Sequence, residues 1–134
     1  MVSWFSRKQS VVALSMVEAE YIASCMAARE AVWLRKLLAG LSGQSLESTV
    51  IHCDNQSCVK MSINPIQHDR TKHMEMKYHY VREMVQRRAV ELRYVPTDEQ
   101  IADVLTKPLG RGKFVYFRDR LGVMENVSLV EREC

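Results

Sequence analysis

The chain of 134 residues has no apolar run approaching the roughly 18–20 residues that cross a bilayer, so no membrane-spanning helix is expected. It has no C-x-x-C pair. Its cysteines, Cys25, Cys53, Cys58 and Cys134, stand apart, which fits free thiols in a reducing compartment better than a disulfide framework. His68, His73 and His79 do not make a zinc site: six residues separate the last two, which turns their rings to different helix faces. Zinc also wants Cys or His pairs at short spacing. No secretory signal, internal repeat or low-complexity segment is visible. Residues 1–17 lack acids and carry Arg7, Lys8 and several hydroxyls, a faint likeness to a mitochondrial presequence. The main expectation is intracellular, in cytoplasm or nucleus.

Net charge is scarce as well. A surplus of +3 does not by itself imply nucleic acid, and 47% apolar with 26% charged residues describes one ordinary globular domain. The basic charge is concentrated, however. From Arg70 to Arg93 there are seven Lys/Arg against three acids, a local excess larger than that of the whole chain. Such a run is either a solvated helix face or a phosphate-tracking surface.

Ser15 to Leu41 carries the longest helical pattern. Ala19, Ile22/Ala23, Met26/Ala27, Val32–Leu34, Leu37/Leu38 and Leu41 recur in threes and fours, and Gly40 and Gly43 bracket the end. Ser15 with Glu18 reads as a capping box. Glu18 falls in line with Cys25, Arg29 and Lys36, a mostly polar face. Glu20 falls in line with Ala27, Ala31, Leu34 and Leu38. A carboxylate there is either a rim residue helped by the helix dipole or one compensated by a metal or partner.

Val2–Leu14 reads as strand with a polar turn at residues 6–10. Thr49–Cys53 reads as a short strand, Gln56–Ile63 as a helix, residues 72–88 as a helix, and Val90–Val95 as an alternating strand closed by Pro96. Asp54 lies between strand tip and helix, either as an N-cap or as a ligand at the carboxyl ends of strands. Thr97 with Gln100 forms a second capping-box pattern opening a helix that Pro108 ends. Asp103 lies a turn inside it with no capping role left. Lys113–Leu121 forms a last helix, and residues 124–134 read as a tail.

Three carboxylates stand out: Glu20 early in a helix, Asp54 at a strand tip and Asp103 early in a later helix. Around them stand SWFSRKQSVVALS, EAEYIA with AVWLRKLL, CDNQS, RTKHMEMKYHYVRE and VELRYVPTDEQIADVLTKPL, in that order over residues 3–123. In these motifs the chain resembles the ribonuclease H domain at the end of Copia-type retrotransposon polyproteins. The resemblance implies an α/β, ribonuclease H-like fold over residues 1–123, with the long helix packed on the sheet. It makes Glu20, Asp54 and Asp103 the catalytic acids and Mg²⁺ ligands, with Mn²⁺ as substitute. Two such ions flanking one phosphate are what this hydrolysis needs.

The departures are specific. The family's fold begins with a hairpin whose first strand carries a further, metal-bridging Asp, whereas no Asp precedes Asp54 here and Met1 stands where that hairpin has already ended. A copy truncated at its N-terminal side, with a reduced sheet lacking the first two strands, is therefore expected. Met16-Val17 replaces the family's usual hydroxyl pair, and the Asn126–Cys134 tail has no counterpart. Two functions follow as expectations. One is a ribonuclease H cleaving RNA in RNA–DNA hybrids, catalytically impaired here, its metal weakly bound or absent, with Arg70, Lys72, His73, Lys77 and Arg82 on the phosphate backbone. The other is a domesticated, non-catalytic module that binds nucleic acid or a protein. It would complete its sheet by dimerisation or with a partner that supplies the missing strand. A non-functional relic is a third outcome, and no membrane is involved in any of them.

Overall fold

The computed structural model describes residues 3–10, 12–43, 46–64 and 72–123, and within the last range not the side chains of 72–75. The tail expected at 124–134 lies outside the described residues. The chain divides into two compact units, Gln9–Glu99 and Met1–Lys8 together with Gln100–Cys134.

In the first unit, helix α1 (Met16–Ser42) begins where the capping pattern places it. The Ser15 hydroxyl accepts from the Glu18 amide at 3.1 Å, and the Glu18 carboxylate accepts in turn from the Leu14 amide at 2.5 Å. At the far end Gly43 adopts a left-handed φ of 67°, which turns its N–H onto the Ala39 carbonyl and stops the helix.

The buried face of α1 differs from the expected one. Tyr21, Ile22, Ser24, Cys25 and Ala28 are buried, whereas Trp33, Leu37, Leu38 and Leu41 are exposed. Cys25 thus lies on the core side rather than on a polar face. The helix is apolar around most of its circumference, so aliphatic periodicity alone left the direction open. The packing of Tyr21 and Cys25 decides it.

Strand β1 (Thr49–Cys53) leads into α2 (Gln56–Ile63), and α3 (Lys72–Gln86) follows before strand β2 (Val90–Tyr94). The two strands are parallel, in a register that sets Thr49 against Val90, Ile51 against Leu92 and Cys53 against Tyr94. A parallel pair needs a long crossover, which the two helices provide. Between α3 and β2, Arg88 takes a left-handed φ of 55°, and the Ala89 amide bonds back to the Met84 carbonyl at 2.9 Å.

The sheet is one layer with a covered and an open face. Val90, Leu92 and Cys53 are buried beneath the helices, while Val50, His52, Glu91 and Arg93 are exposed. Helix α1 packs on both strands, as expected. The core joins Tyr21, Ile22, Cys25, Val81, Met84 and Val90, with the Tyr21 and Tyr78 rings 4.0 Å apart and the Tyr21 hydroxyl donating to the Tyr78 carbonyl. Fully burying a side chain such as Val81 contributes roughly 1.5–3 kcal/mol.

The strand expected over Val2–Leu14 does not form in its described residues, 3–10 and 12–14. A strand is stabilised by its ladder, and no third strand joins β1 and β2 among the described residues. Trp4, Val12 and Leu14 stay exposed. The helix expected from Thr97 to Pro108 appears instead as two short 3₁₀ turns, Thr97–Glu99 and Ile101–Leu105. Gln100 is extended (ψ 97°) between them, and its side chain makes no cap bond. In the second unit, helix α4 (Arg111–Arg120) packs on the Ile101–Leu105 turn and ends before Gly122, whose φ is 69°.

Candidate functional site

The strand tip at Cys53 organises the candidate site. Asn55, not Asp54, caps α2: its backbone is extended and its side-chain oxygen accepts from the Cys58 amide at 3.1 Å. Asp54 is thereby excused from the capping role that its position offered. Its Oδ2 accepts instead from the Thr97 hydroxyl at 3.3 Å. The parallel register brings this about, because the Val95 amide continues the ladder onto the Cys53 carbonyl at 3.0 Å and carries Thr97 to the end of β1.

Glu20 lies one helical turn into α1 and is partly exposed. Its charge opposes ionisation of Cys53 and Cys58. Between α1 and this tip lies a buried thiol cluster that sequence reasoning did not single out. Cys53 and Cys58 are both 0% exposed, and the Ser24 hydroxyl lies 3.5 Å from the Cys58 sulfur. The hydrogen bond from Cys58 holds the Cys53 thiol below its ordinary range, against burial and Glu20. That same bond, with burial, pushes Cys58 well above its own. Buried and mutually bonded, these thiols join α1, β1 and α2.

Asp103 belongs to the other unit. It is buried, and its Oδ2 lies 3.0 Å from the Lys107 ammonium one turn on. This is the pairing that a buried carboxylate requires.

Hard carboxylate oxygens suit Mg²⁺, and a two-metal centre needs several of them. Among the described residues, no group of three or more His, Cys, Asp and Glu side chains comes together to hold a metal ion. The thiols beside Glu20 are soft donors that Mg²⁺ does not favour, and Lys107 already holds Asp103.

Of the expected phosphate-contacting residues, Arg70 lies outside the described residues, as do the side chains of Lys72 and His73 in α3. Lys77 and Arg82 are half-buried on that helix. Arg82 donates to the Asn64 carbonyl at 3.4 Å, so it also ties α3 to the end of α2. Arg35 was missed. Its guanidinium donates to the Leu46 carbonyl at 2.7 Å, the Thr49 hydroxyl at 3.2 Å and the Glu47 carbonyl, fastening the approach to β1. Its helical alignment with Tyr21, Ala28 and Val32 was the available signal. No helix among the described residues is long and apolar enough to cross a membrane.

The chain is similar to retrovirus-related Pol polyproteins of plant transposons. That of transposon TNT 1-94 from Nicotiana tabacum is 40% identical over 125 residues, covering 93% of this chain and 9% of the polyprotein. Those of transposons RE2 and RE1 from Arabidopsis thaliana are 40% and 39% identical over 124 and 122 residues, 92% and 91% of this chain and 8% of each polyprotein. The chain therefore spans less than a tenth of the length of the curated relatives it matches. No protein-family model matches it. No solved structure matches it.

Proposed function

We propose that this retrotransposon-related sequence is the ribonuclease H-like portion of a Copia-type polyprotein, and that as a 134-residue chain it binds RNA–DNA hybrid or related nucleic acid with little or no turnover. One observation carries the reading. Asp54 stands at the carboxyl end of a parallel strand pair, relieved of capping by Asn55, and the charge of Glu20 is felt at the adjoining Cys53. One of the three acids that the resemblance names thus stands at a strand end, in the kind of crevice where α/β sheets bind ligands. The engagement of Asp103 by Lys107 supports impaired hydrolysis.

Binding would come from the basic region that includes α3. Each phosphate neutralised releases counterions, so affinity for a duplex falls with salt at a log–log slope of about 0.9 per contact. Fluorescence anisotropy with a labelled RNA–DNA hybrid across a salt series tests this. Lys77→Gln should weaken binding and lower the slope by about one. Salt-independent binding, or none, would sink the reading.

The sheet favours a second reading. Two strands alone are marginal, no third joins them among the described residues, and α1 exposes Trp33, Leu37, Leu38 and Leu41. A module completing its sheet with a second copy or a partner strand would bury that surface. Light scattering coupled to size exclusion decides for the second copy: a dimer supports it, and a monomer that persists at high concentration removes it.

A further inference from the structure

We infer that helix α4 is a platform for single-stranded nucleic acid, with Tyr116 stacking a base and Lys113 and Arg120 holding the adjacent phosphates. The inference concerns the other compact unit and does not rest on the α3 reading. Within ten residues α4 carries Arg111, Lys113, Arg118 and Arg120 against the single acid Asp119. That acid is already engaged by its neighbour Arg118 at 2.9 Å. The helix therefore presents a concentrated positive charge, complementary to a phosphate chain.

Lys113, Tyr116 and Arg120 follow at intervals of three and four, which sets them on one face. On that face the Arg120 guanidinium donates to the Tyr116 hydroxyl at 3.1 Å and lies 5.7 Å from the ring centroid. The Lys113 ammonium sits 5.5 Å from the centroid of Phe117, which is fully buried and anchors the helix. Tyr116 itself is 43% exposed, a ring steadied by a cation and open to solvent. One turn before it, Gly112 leaves the backbone bare: a Cβ added there would meet nothing within 4 Å.

Aromatic rings interleaved with cations bind single strands, because an unpaired base offers a π-face that a duplex keeps stacked. A basic helix with aromatics could also lie on a membrane, but that needs its apolar residues gathered on one face. Here the exposed rings of Phe114 and Tyr116 are two residues apart, about 200° around the helix. The arrangement favours the nucleic acid.

Anisotropy with labelled oligo(dT) and oligo(U), free and annealed to their complements, tests the platform on the whole chain. The single strands should bind more tightly than the duplexes. Replacing both Lys113 and Arg120 by Gln should lower the salt slope by about 1.4, two phosphates at about 0.7 each. Tyr116→Leu should weaken binding at least about fivefold, and Tyr116→Phe should stay within about twofold of the parent. Circular dichroism melts of both variants guard against a folding effect, since Tyr116→Phe keeps the ring while losing the hydroxyl. Equal binding of duplexes, an unaffected Tyr116→Leu, or preference for phosphatidylserine vesicles would overturn the platform. So would loss of oligo(dT) binding in Lys77→Gln, which would assign both activities to α3.

Discussion

Asn55 and Asp54 are neighbours, and either could have capped α2. The structure divides their labour, and the division has a measurable consequence. Asn55→Ala removes the acceptor of the Cys58 amide, a bond of 3.1 Å, and leaves that amide without its partner at the start of the helix. Loss of a side-chain N-cap costs about 1 kcal/mol, within a range of about 0.5–2. Asp54→Asn removes no cap. It alters one bond of 3.3 Å with the exposed Thr97 hydroxyl, worth a few tenths of a kcal/mol at such a position. Urea unfolding reads both: with a slope of about 1–3 kcal/mol per molar, Asn55→Ala should lower the midpoint by roughly 0.3–1 M and Asp54→Asn should barely move it. Asn55→Asp, which keeps an acceptor and adds charge at the positive helix end, should sit close to the parent. If Asp54→Asn costs as much as Asn55→Ala, Asp54 is a structural residue and the case for it as a functional acid fails.

Burial raises the Tyr21 phenol, so it stays protonated in the fold after the unfolded chain begins to ionise. Its contribution to stability is full below about pH 10 and is lost as pH rises beyond it; Tyr21→Phe should flatten the decline of urea midpoints there, and an unchanged decline would contradict the assignment. Lys107→Met leaves the buried Asp103 carboxylate without its cation, and since Lys107 is itself half exposed the expected loss is about 1 kcal/mol in a thermal melt. No loss would mean that water serves Asp103 equally well. Arg88 holds a left-handed φ of 55°, so Arg88→Gly should raise stability by roughly 0.5–1 kcal/mol; a fall would show the Arg88 side chain stabilising the fold by more than that strain.

Much of the local structure was legible because each signal was chemical. Ser15 and Glu18 fixed the start of α1, Gly43 its end, and the β-branched run Thr49–Ile51 the first strand. The buried face of α1 was not legible, since its aliphatic residues surround the helix and only packing against β1 and α3 chooses among them. Residues 3–10 and 12–14 form no strand for a related reason: β-propensity has no effect without a ladder partner. Asp54 and Asn55 were indistinguishable as caps in sequence, and only the bond from the Cys58 amide to the Asn55 side chain decides between them. Thr97 reads as a cap by spacing, yet its hydroxyl is drawn to Asp54, a contact 43 residues distant that no local pattern encodes. Position alone made Glu20 and Asp54 candidates with two readings each, and the family motif chose the functional one.

We propose that the chain keeps the acids and the nucleic-acid surface of a ribonuclease H-like segment without an efficient catalytic centre. A hybrid-cleavage assay on the 134-residue chain, in Mg²⁺ and separately in Mn²⁺, tests it most directly. The expected result is salt-sensitive hybrid binding, with cleavage absent or so slow that Asp54→Asn leaves it unchanged. Rapid cutting of the RNA strand that Asp54→Asn or Glu20→Gln abolishes would contradict it.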